Sequence, residues 1–324
     1  MPRCDHVPVQ ISVIVPTYRR AKSLERCLDA LCRQTAPPDE IIVVVRREDR
    51  ASSELVCKRE DGLARVVLID VPVGRPGLVI ALNAGTDESR GDIVCLTDDD
   101  AEPRMDWLER IVATFEEDPM IGAVGGRDWI HWGSDADCPP DQPERIVGTM
   151  SRWGRFVGHH HLGIGPARDV AVLKGVNLSA RGTLIRKVRF DTRLRGIVTE
   201  HHWEVGLCLS LARMGYRIVY DPAIAVDHYP QPRLEGPRTF GARQIRDASH
   251  NETLALLGHL PPCARAGHLL WAIAVGSGRE PGLLRTVLTL VFKRESHLKL
   301  LVATLTGRFQ AVRTHLRQEG RQSN

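Results

Sequence analysis

A chain of 324 residues with 43% hydrophobic and 26% charged side chains can fill a core of about two domain lengths, which excludes a disordered polyelectrolyte. With 28 Gly and 20 Pro it is neither collagen-like nor low-complexity, and its longest apolar run, Leu269 to Val275, is far short of the roughly 20 residues a membrane span needs. Net charge is +4 but unevenly placed: from Gly236 onward 13 Lys and Arg face 5 Asp and Glu, whereas residues 1–235 carry 31 against 35.

A basic terminal segment suits an anionic partner, and a solvated helical face is the alternative. At the N-terminus Arg3, Asp5 and His6 precede a short apolar run without a secretory cleavage site, which predicts a cytoplasmic protein. Eight scattered cysteines, including Cys4 and Cys138, form no CxxC pair and no zinc-like spacing, so they read as reduced thiols. The N-x-S/T matches at Asn177 and Asn251 read as coincidence.

In chain order, the first 130 residues alternate apolar runs with helical patterns, the signature of βαβ units around a largely parallel sheet. Strands are predicted at Ile11 to Pro16, Glu40 to Val45, Ala64 to Val71 and Asp92 to Leu96, each apolar throughout as doubly covered strands are. Leu24, Cys27, Leu28 and Leu31 recur at helical spacing, Gly77 to Ala84 forms a short helix, and another helix follows Pro103 before a strand near Ile121 to Val124. From Asp128 to Pro166 a Gly, His, Pro and Trp-rich stretch reads as loops serving a binding site. Val170 to Leu173 then reads as a strand, His201 to Met214 as a helix stopped by Gly215, and Arg217 to Tyr220 and Ala223 to Val226 as short strands around Pro222. After Pro237 only helical patterns remain. Leu298, Leu301, Leu305, Phe309, Val312 and Leu316 share one face of an amphipathic helix, with Lys299, Arg308, Arg313 and Arg317 around it.

The most informative feature is Thr97-Asp98-Asp99-Asp100-Ala101, where a strand leaves the sheet and ligands of open α/β sheets sit. In extended backbone Asp98 and Asp100 point one way and Asp99 the other. Two carboxylates about 4 Å apart repel by roughly 4 kcal/mol at an effective dielectric near 20, so a cation such as Mg²⁺ or Mn²⁺ is a natural neutraliser. The alternative is an acidic turn capping the next helix. The first strand ends in Pro16-Thr17-Tyr18-Arg19-Arg20, whose hydroxyl, aromatic face and two cations suit a nucleotide. No Walker A pattern occurs, and Gly163 to Gly165 is loop composition. His159, His160 and His161 cannot all aim at one ion from adjacent positions, which leaves one or two of them to line an acceptor side.

Several ordered segments carry a resemblance: ISVIVPTYRR at Ile11, GLVIALNAG at Gly77, DIVCLTDDDAEPRMDWLERI at Asp92, LKGVNLSARG at Leu173, RFDTRLRG at Arg189 and GYRIVYDPAIAVDHYP at Gly215. Over about residues 10–230 the chain resembles a family 2 glycosyltransferase of the GT-A fold. The resemblance implies a Rossmann-type mixed, mainly parallel sheet flanked by helices. It divides the chain into a donor half of about residues 1–130, an acceptor half of about 131–235, and a basic helical appendage over 236–324. It implies metal-assisted transfer, with inversion, from a nucleotide-diphospho-sugar to a hydroxyl of a glycan, lipid-linked or small-molecule acceptor.

Carried over by position, Thr17, Tyr18 and Arg19 lie near the nucleotide, and Asn83 lies in a donor-side loop where Leu82 replaces the usual arginine. Asp98 faces ribose or sugar with Asp99 beside it, Asp100 holds the metal, and His228 resembles a histidine aimed at metal or diphosphate. Arg46-Arg47-Glu48-Asp49 stands where relatives show Asp-Asp-Gly-Ser, leaving Asp49 as the substitute nucleotide-binding acid. The acceptor base falls on Glu204, counted back from Gly215, although Trp203, Gly206 and Ser210 depart from the pattern; Glu200 is its competitor. The tail implies a peripheral position on the inner membrane surface, or packing on the core or a second subunit. It lacks the interleaved aromatics of a nucleic-acid binder. The competing readings are a non-catalytic nucleotide-sugar binding protein and a sugar nucleotidyltransferase. The latter would carry a Gly-rich phosphate loop after the first strand, which Pro16 to Arg20 lacks.

Overall fold

The computed structural model describes residues 9–59, 62–72, 75, 77–132, 142–152, 154–196, 199–231, 241–291 and 296–322. Arg3, Cys4, Asp5, His6, Cys138 and the expected boundary at 235/236 lie outside the described residues. The elements run β1 (Ile11–Thr17), α1 (Ala21–Cys32), β2 (Glu40–Arg46), α2 (Arg50–Cys57), β3 (Ala64–Ile69), α3 (Leu78–Glu88), β4 (Ile93–Leu96), β5 (Ala101–Pro103) and α4 (Trp107–Glu117). They continue with β6 (Ile121–Ile130), β7 (Thr149–Met150), β8 (Phe156–Val157), β9 (Arg168–Asp169), β10 (Leu178–Arg181), α5 (Gly182–Val188), α6 (Trp203–Arg213) and β11 (Arg217–His228). Four helices close the chain: α7 (Ala242–His259), α8 (Pro262–Ala274), α9 (Leu283–Val291) and α10 (Ser296–Gln322).

The main sheet has the order β3-β2-β1-β4-β10-β6-β11-β5, with β9 also on β11. β1, β2, β3 and β4 are mutually parallel where they pair, β6 is parallel to β11, and β10, β5 and β9 run antiparallel to their neighbours. This is the mixed, mainly parallel sheet the resemblance implies. The side-chain period of two sorts each strand between two cores. Val13, Val15, Ile41 and Val43 pack with Leu24, Leu28, Trp107 and Ile111 on one face, while Ile14, Ile42 and Val44 pack with Leu82, Trp203 and Leu207 on the other. Strand order reverses between β1 and β4, so their carboxyl ends, Thr17 and Leu96, open the crevice where ligands of such sheets bind.

Three expectations need correction. Val170 to Leu173 is not a strand: Ala171 and Val172 both donate to the Gly148 carbonyl (2.7 and 3.1 Å), so their N–H groups serve a loop instead of a ladder. The two short strands around Pro222 are one strand, β11, whose register shifts between Asp221 and Ala225, where Pro222 has no N–H to offer. Arg308, expected on the solvated rim of the last helix, is 3% exposed and bonded to Glu252 Oε2 (3.1 Å), Thr253 Oγ1 (3.0 Å) and Glu280 Oε2 (3.1 Å).

That burial follows from close packing of α10 on α7, where a Cβ added at Gly307 would meet the Arg246 carbonyl oxygen at 2.1 Å. Leu301 and Ala311 face inward there, whereas Leu298, Phe309 and Leu316 face outward, so the expected single apolar face divides in two. In turn α7 contributes Ala255 and Leu256 to the same apolar cluster as Ile14 and Leu96.

Candidate active site

β4 ends at Leu96 and the chain turns through the aspartates into β5, which pairs antiparallel with β11 so that Ala101 sits opposite His228. This register brings a residue from the last strand beside the acidic corner. Asp98, Asp100 and His228 each present a ligand atom, all within 4.8 Å of one another. His228 Nε2 lies 3.3 Å from Asp100 Oδ1, and its Nδ1 lies 3.7 Å from Oδ2 of Asp128, a carboxylate with no solvent exposure that also pairs with Lys174. The buried His228 Nδ1 and Asp128 Oδ1 have no hydrogen-bond partner among the described residues. Asp99 points the other way, as the strand period demands: it accepts from Thr17 Oγ1 (2.7 Å) and from Arg20 Nη1 (3.0 Å). Arg20 Nη1 also reaches Asp100 Oδ2 at 2.9 Å, and Asp100 accepts the N–H of Gln231 at 3.1 Å.

Crowded acids resolve their repulsion by unequal ionisation. Burial and the neighbouring Asp100 charge push Asp98 up to about 6, and burial pushes Asp99 up to about 7 against the pull of Arg20. Burial also acts on Asp100, but His228 and Arg20 outweigh it and hold that carboxyl below its usual range. Burial would lower His228, yet the carboxylates of Asp100 and Asp128 win and raise it to about 9. Two carboxylate oxygens and an imidazole nitrogen, backed by a buried carboxylate behind the ring, form a donor set that fits Mn²⁺ or Mg²⁺.

Beside this corner lies a cleft of about 320 Å³, walled by Thr17, Tyr18, Arg20, Arg46, Gly77 and the three aspartates among others. The Tyr18 ring lies under two guanidinium groups, Arg46 at 4.1 Å and Arg19 at 4.9 Å from its centroid. Gly77 leaves room for one of them: a Cβ there would meet Arg46 Nη2 at 2.9 Å.

The profile described as Glycosyl transferase family 2 matches residues 12–171. The chain is a glycosyltransferase of family 2 type. The glucosyl-dolichyl phosphate glucuronosyltransferase of Haloferax volcanii is 27% identical over 230 residues, 68% of this chain and 69% of the relative. The probable glycosyltransferase YdaM of Bacillus subtilis is 28% identical over 226 residues, but these are only 49% of its length against 66% of this chain. Among solved structures, the mannosyltransferase PcManGT of Pyrobaculum calidifontis, in complex with GDP-Man and Mn²⁺, shares the fold with a TM-score of 0.56 at 20% identity, over 95% of this chain and 88% of that one. TarS 1-349 of S. aureus, in complex with UDP-GlcNAc, gives 0.59 at 16% identity, over 91% and 79%.

The family 2 pattern lands unevenly on this chain. Thr17, Tyr18, Asp98, Asp99, Asp100 and His228 line the cleft. Arg19, Asp49, Asn83 and Glu204 are not among the residues that line it. Asn83 is clamped to the Phe190 backbone, donating to its carbonyl (2.9 Å) and accepting its N–H (3.0 Å). Asp49 is buried, caps α2 by accepting the Ser52 N–H (3.2 Å), and accepts the N–H of Arg19, which stands at φ 55°.

Glu204 occupies the first turn of α6, half-buried, with burial raising its carboxyl against the opposing effects of His202, a backbone N–H and the Lys174 ammonium; the same ammonium acts on Asp98. Trp203, in place of the family's first acid, instead packs edge-on against Phe190 with ring centroids 5.1 Å apart. Glu200 is 3% exposed and accepts the Val79 N–H (3.4 Å) at the start of α3, with Thr199 lining the cleft beside it. Of the histidine triplet, His160 is buried on the Val172 carbonyl (2.9 Å) and His159 pairs with Glu144 (2.7 Å). Asp128, Lys174 and Arg46 were not anticipated. A signal existed for Asp128, which follows the Ile121 to Val124 run at the carboxyl end of a parallel strand.

Proposed function

We propose that this chain transfers a sugar from a nucleoside-diphosphate donor to an acceptor hydroxyl with inversion, assisted by Mn²⁺ or Mg²⁺. The observation that carries the reading is the convergence of Asp98, Asp100 and His228 at the open edge of the sheet, beside a cleft sized for a ligand. Those three residues would hold the cation, whose charge would offset the negative charge developing on the leaving diphosphate. Tyr18, under Arg19 and Arg46, offers the nucleotide a flat face ringed by positive charge. Asp128 faces the His228 ring from behind at 3.7 Å, and Thr17 and Arg20 hold Asp99 in the cleft wall. Glu204 takes the proton of the acceptor hydroxyl as its oxygen bonds the anomeric carbon and the bond to the diphosphate oxygen breaks. Names of similar proteins support the substrate classes: two solved relatives hold nucleotide sugars, and one curated relative is named for a dolichyl phosphate acceptor.

The test is a screen of UDP-, GDP- and dTDP-sugars by thermal shift, with and without Mn²⁺, where a donor at 100 times its Kd stabilises by about 2.7 kcal/mol. Product configuration is then read by NMR. Donor binding that ignores both Mn²⁺ and Asp100→Ala defeats the reading. Glu204→Gln is expected to keep donor affinity while kcat falls by about 10² to 10⁴; unchanged turnover moves the base role to Glu200.

A further inference from the structure

A second cavity, of about 380 Å³, lies where the core meets the C-terminal helices. Arg75, Arg193, Arg195, Arg243 and Arg246 line it, against only two acids, Glu200 and Asp247. The cations are incompletely satisfied. Arg193 is held by Asp191 (2.6 and 2.8 Å) and Gln318, and Arg246 lies on Asp247 Oδ1 (2.9 and 3.0 Å). Arg195 gives one N–H to Gln310, while the guanidinium groups of Arg75 and Arg243 have no polar partner among the described residues. Burial lowers Arg195 against the pull of Asp247, and the charge of Arg246 lowers it further.

The arrangement is also built. Asn251, without solvent exposure on α7, accepts the Arg195 N–H (2.8 Å) and donates to the carbonyls of Arg195 (2.7 Å) and His201 (2.9 Å). It thereby fixes the loop that aims Arg195 at the cavity. The cavity and the donor cleft share one wall. Gly77, Leu78 and Thr199 face the cleft, while their neighbours Val79 and Glu200 face the cavity.

We propose that this arginine-lined cavity binds the phosphate or diphosphate group of the acceptor substrate, a wall's thickness from the donor. Planar guanidinium forks match phosphoryl oxygens two at a time, and several converging forks recognise a dianion far better than a neutral glycan. The role as acceptor site rests on the transferase reading; the anion site itself does not.

Inorganic pyrophosphate is titrated into the full chain by calorimetry without divalent metal. Wild type is expected to bind, Arg195→Ala/Arg243→Ala to lose at least tenfold in affinity, and Arg20→Ala, altered in the donor cleft, to bind as wild type does. Arg243→Glu, at an exposed position that threatens no packing, is expected to lose more than Arg243→Ala. Absence of binding by wild type, equal binding by the double variant, or loss in Arg20→Ala overturns the proposal. Farnesyl diphosphate binding tighter than pyrophosphate assigns a lipid-linked acceptor, and equal binding a soluble phosphorylated one. If no sugar nucleotide binds while pyrophosphate binding keeps its arginine dependence, the transferase reading falls and takes the acceptor role with it, leaving an anion site.

Discussion

Asp128 is not among the residues that line the cleft, yet it stands behind the Asp98, Asp100 and His228 corner. It is fully buried, paired with Lys174 on one side and facing the His228 ring on the other. Outer partners of this kind typically change metal affinity by about 10- to 100-fold when removed. Asp128→Asn is therefore expected to weaken Mn²⁺ binding by that order in a titration followed by thermal shift; unchanged affinity would show the carboxylate serves packing alone. Glu200 gives a pH signature. Burial raises it from 4.5 to about 7, against the N–H groups at the start of α3. Between those values the folded protein keeps a proton that the unfolded chain has released, so stability falls as pH rises through the window, by on the order of 3 kcal/mol. Denaturation near pH 5 and near pH 7.5 checks this: wild type should lose stability on the way up, and Glu200→Gln should lose less, since Asp98 and Asp99 still titrate in that window; equal loss by both would show that Glu200 holds no such proton. The pairing of Asp98 with Asp100 was legible because extended backbone has a fixed period. The fates of Asn83 and Asp49 were not, because their partners, Phe190 and Arg19, are brought to them only by tertiary folding.

At the scale of elements, the site hangs on how β6 and β11 run together. Asp128 lies two residues after Gly126, where a Cβ would meet the carbonyl oxygens of Ile224 at 1.8 Å and Asp221 at 2.4 Å, backbone atoms that cannot rotate away. Only glycine lets β6 lie this close to the irregular stretch of β11. Gly126→Ala is expected to cost about 1–3 kcal/mol in urea denaturation and to weaken Mn²⁺ binding, since the two strands carry Asp128 and His228. A variant as stable as wild type would show that β11 yields freely. β1, β2 and β4 were legible because both their faces are buried, which leaves runs of Val and Ile. Central β10 was not, since Ser179 and Arg181 interrupt its pattern. Arg181 is there to donate to the carbonyls of Ile121 (2.8 Å) and Phe115 (3.0 Å).

Across the whole molecule, the terminal helices are part of the body on one side and unpartnered on the other. Their inner surface joins the core through Leu256 and buries Arg308, so cutting the chain before α7 would strip a core face. Their outer surface shows Leu270 at 70%, Leu284 at 59% and Leu288 at 65% exposure, with Arg279 and Arg285 nearby in sequence. No described helix is long and apolar enough to cross a membrane. An exposed apolar surface flanked by cations has the chemistry of an interfacial helix face, which makes bilayer binding testable. Co-sedimentation with anionic vesicles is expected for the intact chain and reduced in Leu284→Glu/Leu288→Glu; negligible binding by both would remove the membrane role.

The pairing of β5 with β11 also sets an order of events. The triple aspartate is synthesised long before His228, at about 5–20 residues per second on the order of ten seconds earlier. Until the final strand is laid down, Asp100 lacks its imidazole neighbour and the N–H of Gln231. A nascent or prematurely terminated polypeptide thus lacks the assembled Asp98, Asp100 and His228 corner.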